Sequence, residues 1–260
     1  MLELYTSEPN TFFLKPLVAL HEKQVGFTPR WLDCDKLAHF EAGAPAIEAK
    51  LHLEREGPLL VHDGTVMSGS WFLLEYIAET FPGEDLVPAA PFDRYRARAS
   101  GQFLGAHLGS LVPILGCVKY LAPRLAALDR KTVDARLDAV EPVERSNNWR
   151  ALLNGTYTPQ ILATAHERLK FPLSRVEKTL AEGAWLAGPR YSIADIDAFA
   201  MLRVLPDLAP ELVNERETPR TLEFLARIEA RPAVKAALAT SRSGNPTQHF
   251  VPGVEPSRWG

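Results

Sequence analysis

Strand patterns occur in this chain only within residues 1–83, while helical patterns dominate from Phe92 to Thr240. This partition restricts the fold more than any other feature, and 260 residues are enough for two domains. We therefore predict an α/β domain over 1–83, a linker over 84–91 and an all-α domain over 92–240. The last residues, 241–260, are rich in Gly, Pro and Ser, so we predict an irregular tail.

The order of elements in the first domain indicates a thioredoxin-like fold. Asp63-Gly64 is a strong signal for a two-residue hairpin between two of the predicted strands. A further helical segment is predicted at 46–53. The predicted order is β-α-β-(α)-β-β-α, with strands at Leu2–Tyr5, Phe27–Asp33, Pro58–His62 and Thr65–Met67 and with the last helix opening at Ser68-Gly69-Ser70.

Charge and hydropathy exclude several classes of partner. The net charge is −3, so nothing indicates binding to nucleic acid or to an anionic membrane. The longest apolar run, near Leu111, is interrupted by Pro113 and Gly116 and ends at Lys119. It falls short of the roughly 18 apolar residues of a membrane helix. The first residues lack the pattern of a signal peptide, so we expect a cytoplasmic protein.

Cysteine and histidine usage argues against metal and disulfide chemistry. Cys34 and Cys117 are too few for a disulfide framework, and Cys117 is expected to be a small core residue. No Cys-x-x-Cys or His-x-x-x-His pair occurs, so no metal site is expected. Neither a phosphate-binding loop nor a Gly-x-Ser-x-Gly motif is present.

A capping box is the most specific local motif in the second domain. Ser192 is placed to cap a helix, and the side chain of Asp195 is placed to reach back to it, with Tyr191 and Ile196 at the staple positions. This motif resembles the capping box of the cytosolic glutathione transferases, and Arg227–Val234 resembles their last helical segment. That family joins a thioredoxin-like domain to a helical domain, in agreement with the pattern above.

Within that superfamily the chain resembles the bacterial β-aryl etherases, which act on lignin-derived dimers. The resemblance rests on Leu4-Tyr5, Pro9 and Leu14–Leu17, and on the spacing of Pro142, Trp149-Arg150 and Asn154-Gly155. It implies glutathione as co-substrate and an aromatic ether as the second reactant. In such an enzyme the glutathione thiolate attacks the carbon that bears the aryloxy group, and a phenol leaves.

Gly57-Pro58 stands where the family has a cis-proline before the third strand, usually preceded by Val. The resemblance implies that the backbone of Gly57 pairs with the cysteinyl part of glutathione. An X–Pro bond costs only about 0.5–1 kcal/mol in cis, so glycine does not forbid it. The alternative is a trans proline that merely starts a strand.

Gly69-Ser70 opens the helix that in the family binds the γ-glutamyl carboxylate. Helix N-termini attract anions, and the Ser70 hydroxyl adds a donor; the alternative is a plain N-cap serine. The family usually has Glu or Gln before this serine, as partner of the γ-glutamyl amine, whereas this chain has Gly69. We therefore expect weak glutathione binding, which a Gly69→Glu change should tighten.

The residue that stabilises the thiolate is not evident. The etherases carry a hydrogen-bond donor just before the Leu-Lys-Pro run, where this chain has Phe12 and Phe13. Phenylalanine cannot donate, so the two phenylalanines are candidates for substrate contact instead. Asn10 and Thr11 are the nearest donors and are the candidate catalytic residues. The alternative is that both belong to a polar loop that leads into a helix.

Trp149 and Arg150 are further candidates for contact with an aromatic substrate. The alternative is a solvated arginine beside a core tryptophan. Phe250 and Trp259, in the predicted tail, either cover a cleft or a partner or are loosely packed.

The sequence leaves three functional hypotheses and one assembly hypothesis. The resemblance implies glutathione-dependent cleavage of β-aryl ethers. Gly69, Phe12 and Phe13 motivate a second hypothesis, a weakly catalytic or non-catalytic subunit of a heterodimeric etherase. A third hypothesis is a protein that binds aromatic ligands. Members of the family associate through both domains, so we expect a homodimer or a heterodimer with a related transferase.

Overall fold

The computed structural model describes residues 1–40, 57–140 and 143–252. The helix predicted at 46–53, Pro142 and Trp259 lie outside the described residues. The first domain contains a four-stranded sheet in the order β2-β1-β3-β4. Its strands are β1 (Leu2–Thr6), β2 (Thr28–Trp31), β3 (Leu59–His62) and β4 (Thr65–Ser68).

The pairing of these strands confirms the thioredoxin-like prediction. Helix α1 (Thr11–Glu22) connects β1 to the parallel strand β2, and β3 runs antiparallel to both β1 and β4. The hairpin between β3 and β4 turns at Asp63-Gly64, with φ of 47° and 84°. Two consecutive positive φ angles are what a tight hairpin turn needs, and Asp and Gly tolerate them. Helix α2 (Ser70–Thr80) follows β4.

The described residues of the second domain form helices joined by loops and contain no strand, as predicted. Several of its helices carry proline in their first turn, where the missing N–H costs no hydrogen bond. The helices are α3 (Pro91–Gly116), α4 (Ala122–Ala126), α5 (Arg130–Asp138), α6 (Val143–Leu153), α7 (Pro159–Glu182), α8 (Ile193–Leu202), α9 (Leu205–Leu208), α10 (Pro219–Glu229) and α11 (Pro232–Leu238). A π-helical segment, Cys117–Leu121, joins α3 to α4, and short 3-10 helices lie at Ala38–Phe40 and Pro246–Gln248.

Helix α8 forms the centre of the core, since all ten of its residues are buried. It begins with the predicted capping box. Oδ2 of Asp195 accepts from the Ser192 N–H at 2.8 Å, and Oδ1 accepts from the Leu186 N–H at 2.9 Å. Burial raises the pKa of Asp195 to about 6, against the opposing effect of these donors. The box therefore fixes the start of α8 and ties it to the preceding loop.

Two ion pairs join α1 to the helical domain. The Nζ of Lys15 lies 2.6 Å from Oδ1 of Asp197 on α8, and both side chains are almost fully buried. At the other end of α1, Arg231 donates to both oxygens of Glu22, at 2.6 and 2.9 Å, and stacks on the ring of Tyr191. Helix α1 packs on α2 within the first domain and on α8 and α11 of the helical domain. It therefore connects the two domains.

The helical stretch Pro91–Ala126 is long and apolar enough to cross a bilayer by length and composition alone, contrary to the sequence-based expectation. However, 56% of its most apolar 18-residue window is buried inside the protein. The prolines and glycines that interrupt the apolar run do not interrupt the helix, because packing against α7 and α8 supports it. The stretch therefore has the burial of a core helix.

Candidate active site

The segments that carry the predicted site residues meet at one end of the sheet. Tyr5 of β1 pairs with Leu59 of β3, and Leu59 pairs with Ser68 of β4. The carboxyl ends of β1 and β4 therefore lie beside the amino end of β3. This register places the loop to α1, the Gly57-Pro58 bond and the start of α2 at the same end of the sheet.

The Gly57-Pro58 bond is cis, as the resemblance implied. Gly57 has φ of +67°, and a Cβ at this position would lie 3.0 Å from the side chain of Leu32 and 3.3 Å from that of Phe13. A β-branched residue is strained in this backbone region. The backbone therefore explains why glycine stands here, and the contact brings the start of α1 next to the cis bond.

The N-terminus of α2 carries backbone amides that no group of the helix itself satisfies. The first hydrogen bond within the helix runs from the Leu73 N–H to the Gly69 carbonyl, at 2.9 Å. The amides before Leu73 have no partner within the helix, and no acidic residue lies in the first turn. Gly69 occupies the N-cap position and Ser70 is the first helical residue, so Ser70 is not a plain N-cap. Its hydroxyl is a further hydrogen-bond donor at the helix end, where the free backbone N–H groups carry a partial positive charge.

The backbone at Gly69 argues against the expectation that Gly69→Glu tightens glutathione binding. Its φ is +87°, and a Cβ would lie 2.9 Å from the ring of Phe72. A side chain at this position is strained whatever space surrounds it. Substitution would therefore distort the start of α2, where the carboxylate is expected to bind.

Asn10 and Thr11 lie at the start of α1 and are both buried. Asn10 holds the N-cap position, but its side chain does not cap the helix. Its Nδ2 instead donates to the carbonyl of His249, at 2.8 Å, while its Oδ1 has no hydrogen-bond partner in the described part of the chain. Phe13 is buried and Phe12 is half-buried. None of these side chains is acidic or basic, so they can offer hydrogen bonds and apolar contact but no acid–base catalysis.

Trp149 and Arg150 lie in surroundings that favour the structural alternative. The Trp149 ring is fully buried and meets the ring of Phe40 edge to face, with centroids 5.8 Å apart. Arg150 forms ion pairs with Asp134 and Asp138, at 3.1 and 2.6 Å. The tryptophan is thus part of the core, and the arginine is engaged by carboxylates of α5.

The C-terminal segment also reaches this site, whereas the sequence left open whether its aromatic residues cover a cleft or a partner or are loosely packed. We call residues Ser241–Pro252 the C-terminal strap. It contacts Asn10 through His249, and Phe250 is buried, so the expectation of loose packing is wrong for this residue. The Asn10–His249 contact joins residues 239 positions apart, and no local pattern in a sequence predicts such a contact.

The described residues contain no group of three or more His, Cys, Asp or Glu side chains that could hold a metal ion. The candidate site is therefore made of backbone amides, hydroxyl and amide side chains and aromatic rings.

Comparison with known proteins supports the family resemblance. Residues 156–241 match the family model described as glutathione S-transferase, C-terminal domain. Protein LigF from Sphingobium sp. strain SYK-6 is 29% identical over 247 residues, which cover 93% of this chain and 94% of LigF.

Solved structures agree with this finding. The structure titled beta-etherase LigF from the same strain has a TM-score of 0.86 at 28% identity and covers 92% of this chain and 99% of its own. Glutathione transferase F7 from Populus trichocarpa has a TM-score of 0.71 at 21% identity, covering 96% and 100% of the two chains. The second likeness concerns the fold alone.

Proposed function

Since the chain belongs to the glutathione S-transferase superfamily by its fold and its C-terminal domain, we propose that it cleaves β-aryl ether bonds of lignin-derived aromatics with glutathione. The observation that carries this proposal is the likeness to the β-etherase LigF over 93% of the chain. We place the reaction in the cytoplasm, where thiols are kept reduced.

In this proposal glutathione binds at the end of the sheet where β1 and β4 end and β3 begins. The γ-glutamyl carboxylate binds the open N-terminus of α2 and the Ser70 hydroxyl, and the backbone of Gly57 pairs with the cysteinyl part. The free positive end of α2 supports this placement, since no acidic side chain of its first turn compensates it.

The chemistry is a displacement in which the protein positions both reactants. The thiolate sulfur forms a bond to the carbon that bears the aryloxy group, the carbon–oxygen bond breaks, and the phenolate takes a proton from solvent. A thiol has a pKa near 8.5, so donors that stabilise the thiolate raise the reactive fraction. Asn10 and Thr11 are the donors at the start of α1, and Phe12 and Phe13 offer apolar contact to the aromatic reactant.

Ser70→Ala is expected to weaken glutathione binding by about 10-fold or more, because a hydrogen bond to a charged group contributes roughly 1.5–3 kcal/mol. Calorimetry on the chain alone measures this effect. For the wild type we expect a Kd for glutathione above the low micromolar range. Ser68→Ala, two residues earlier on β4, is the matched control and should bind like the wild type. Equal affinities of the Ser70 and Ser68 variants would contradict the placement of the carboxylate.

A non-catalytic subunit of a heterodimeric etherase is the second candidate function. Phe12 and Phe13 favour it, because they stand where the etherases carry a donor. The two functions differ in one result: a catalytic chain cleaves an aryl ether alone, whereas a partner subunit shows activity only when mixed with a related transferase.

We also propose that the chain forms a dimer, with exposed aromatic side chains of α2, α3 and α7 in its interface. Phe72, Phe92, Tyr95 and Phe171 are large, and between 58% and 69% of each is exposed. The rings of Phe92 and Tyr95 stack with centroids 6.2 Å apart, and exposed apolar patches are typical of interaction surfaces. Sedimentation at micromolar concentration should give twice the mass of the 28.8 kDa chain, and Phe72→Glu with Phe92→Glu should give the monomer. A wild-type monomer would contradict this assembly.

A further inference from the structure

The C-terminal strap is anchored to the loop before α1 by a buried carboxylate. Oε1 of Glu8 accepts from the N–H groups of Arg242 and Ser243, at 3.0 and 2.9 Å, and Oε2 accepts from the Ser241 hydroxyl at 2.6 Å. The Arg242 guanidinium also stacks on the ring of Trp31, 4.1 Å from its centroid. Hydrogen bonds to a charged acceptor are among the stronger ones, so this end of the strap is firmly held.

A second set of contacts holds the strap across the start of α1. Asn10 donates to the His249 carbonyl, and Nδ1 of His249 lies 2.7 Å from Oδ2 of Asp35. On the side of the helical domain, Arg124 donates to the Gln248 carbonyl at 2.8 Å. The strap thus bridges the first domain and α4 directly over the candidate thiolate donor.

The Phe250 ring fills a site formed by Gly116 and Tyr120, which we call the seat. A Cβ at Gly116 would lie 2.4 Å from the Phe250 ring, so the ring rests directly on the backbone of α3. The Tyr120 ring is parallel to it within 4°, with centroids 6.2 Å apart. The Tyr120 hydroxyl donates to Asp207, which fixes the ring that forms this wall of the seat.

We propose that the strap is a built-in competitor of aromatic ligands: Phe250, which follows the residue that Asn10 binds, occupies their place on Gly116 and Tyr120, and the strap must release it before they bind. This inference rests on the proposed function in taking aryl ethers as the ligand. A ligand that binds only the open form has its affinity reduced by the open fraction. The apparent affinity for an aromatic ligand is therefore set by how tightly the strap is held.

The test is calorimetry with 2-phenoxyacetophenone, a minimal aryl ether, in the absence of glutathione. Phe250→Ala empties the seat and is expected to bind the ether at least about 10-fold more tightly than the wild type. Val251→Ala is the matched control, since it trims the next buried residue and leaves the ring in place. A folded Phe250→Ala protein with unchanged or weaker affinity would overturn the proposal.

Glu8→Ala serves as the second variant if circular dichroism shows that Phe250→Ala does not fold. It removes the anchor and leaves the seat intact, so it should tighten ether binding and expose residues 241–252 to proteolysis. Unchanged affinity of this variant for the ether would also overturn the proposal that the strap competes with aromatic ligands. Neither measurement involves turnover or glutathione. The binding results can therefore be interpreted even if the chain has no etherase activity.

Discussion

Lys15→Met is expected to lower the free energy of unfolding by about 3–5 kcal/mol, because it leaves the carboxylate of Asp197 buried without its partner. The two groups lie 2.6 Å apart, with exposed fractions of 5% and 3% for their side chains. The other oxygen of Asp197 already lacks a hydrogen-bond partner among the described residues. The double variant Lys15→Met/Asp197→Leu should recover most of the loss, since it removes both buried charges.

Urea unfolding followed by circular dichroism measures this difference. Lys36→Met is the matched control, because the Lys36–Asp33 pair is 3.4 Å long and its side chains are 71% and 36% exposed. Exposed pairs contribute about 0–1 kcal/mol. A Lys15→Met loss as small as that of the control would show that water reaches the pair in solution and that α1 is not held by it.

Removing the thiolate donor should have the second large effect. If the chain catalyses ether cleavage, Asn10→Ala or Thr11→Val is expected to lower kcat by about 10²–10³, as for the loss of an oxyanion-type donor. Both residues are buried at the start of α1. Asn10→Ala also removes the contact to His249, so the loosened strap should lower KM for the ether even as kcat falls.

Steady-state kinetics with saturating glutathione separates these effects. Thr28→Val is the matched control, since Thr28 pairs with Glu3 at the opposite end of the sheet. Full activity in both the Asn10 and the Thr11 variants would eliminate them as donors. Activity that appears only in a mixture with a related transferase, and that neither substitution changes, would favour the partner-subunit function.

The fold could be predicted largely from local sequence patterns. Asp63-Gly64 predicted the hairpin and Ser192–Asp195 the capping box, because both are set by residues within four positions of each other. The Lys15–Asp197 pair and the strap join distant parts of the chain, and neither has a sequence signature. Burial of a charged side chain is likewise decided by its distant partner.

The candidate site was only partly predictable for a related reason. Gly57 and Gly69 look like losses when compared with the residues of the family, whereas their positive φ angles show that the backbone itself requires glycine. Trp149 was a candidate for substrate contact because spacing in a sequence carries no information on burial. The position of Phe250 could not be predicted from a local pattern, because its ring packs on Gly116 and Tyr120, which are far from it in the sequence.

The most direct measurement is product analysis with the purified chain alone, glutathione and 2-phenoxyacetophenone. We predict phenol and a glutathione thioether in equal amounts, and no phenol when S-methylglutathione replaces glutathione. Absence of phenol from a folded chain that binds glutathione would contradict catalysis by this chain.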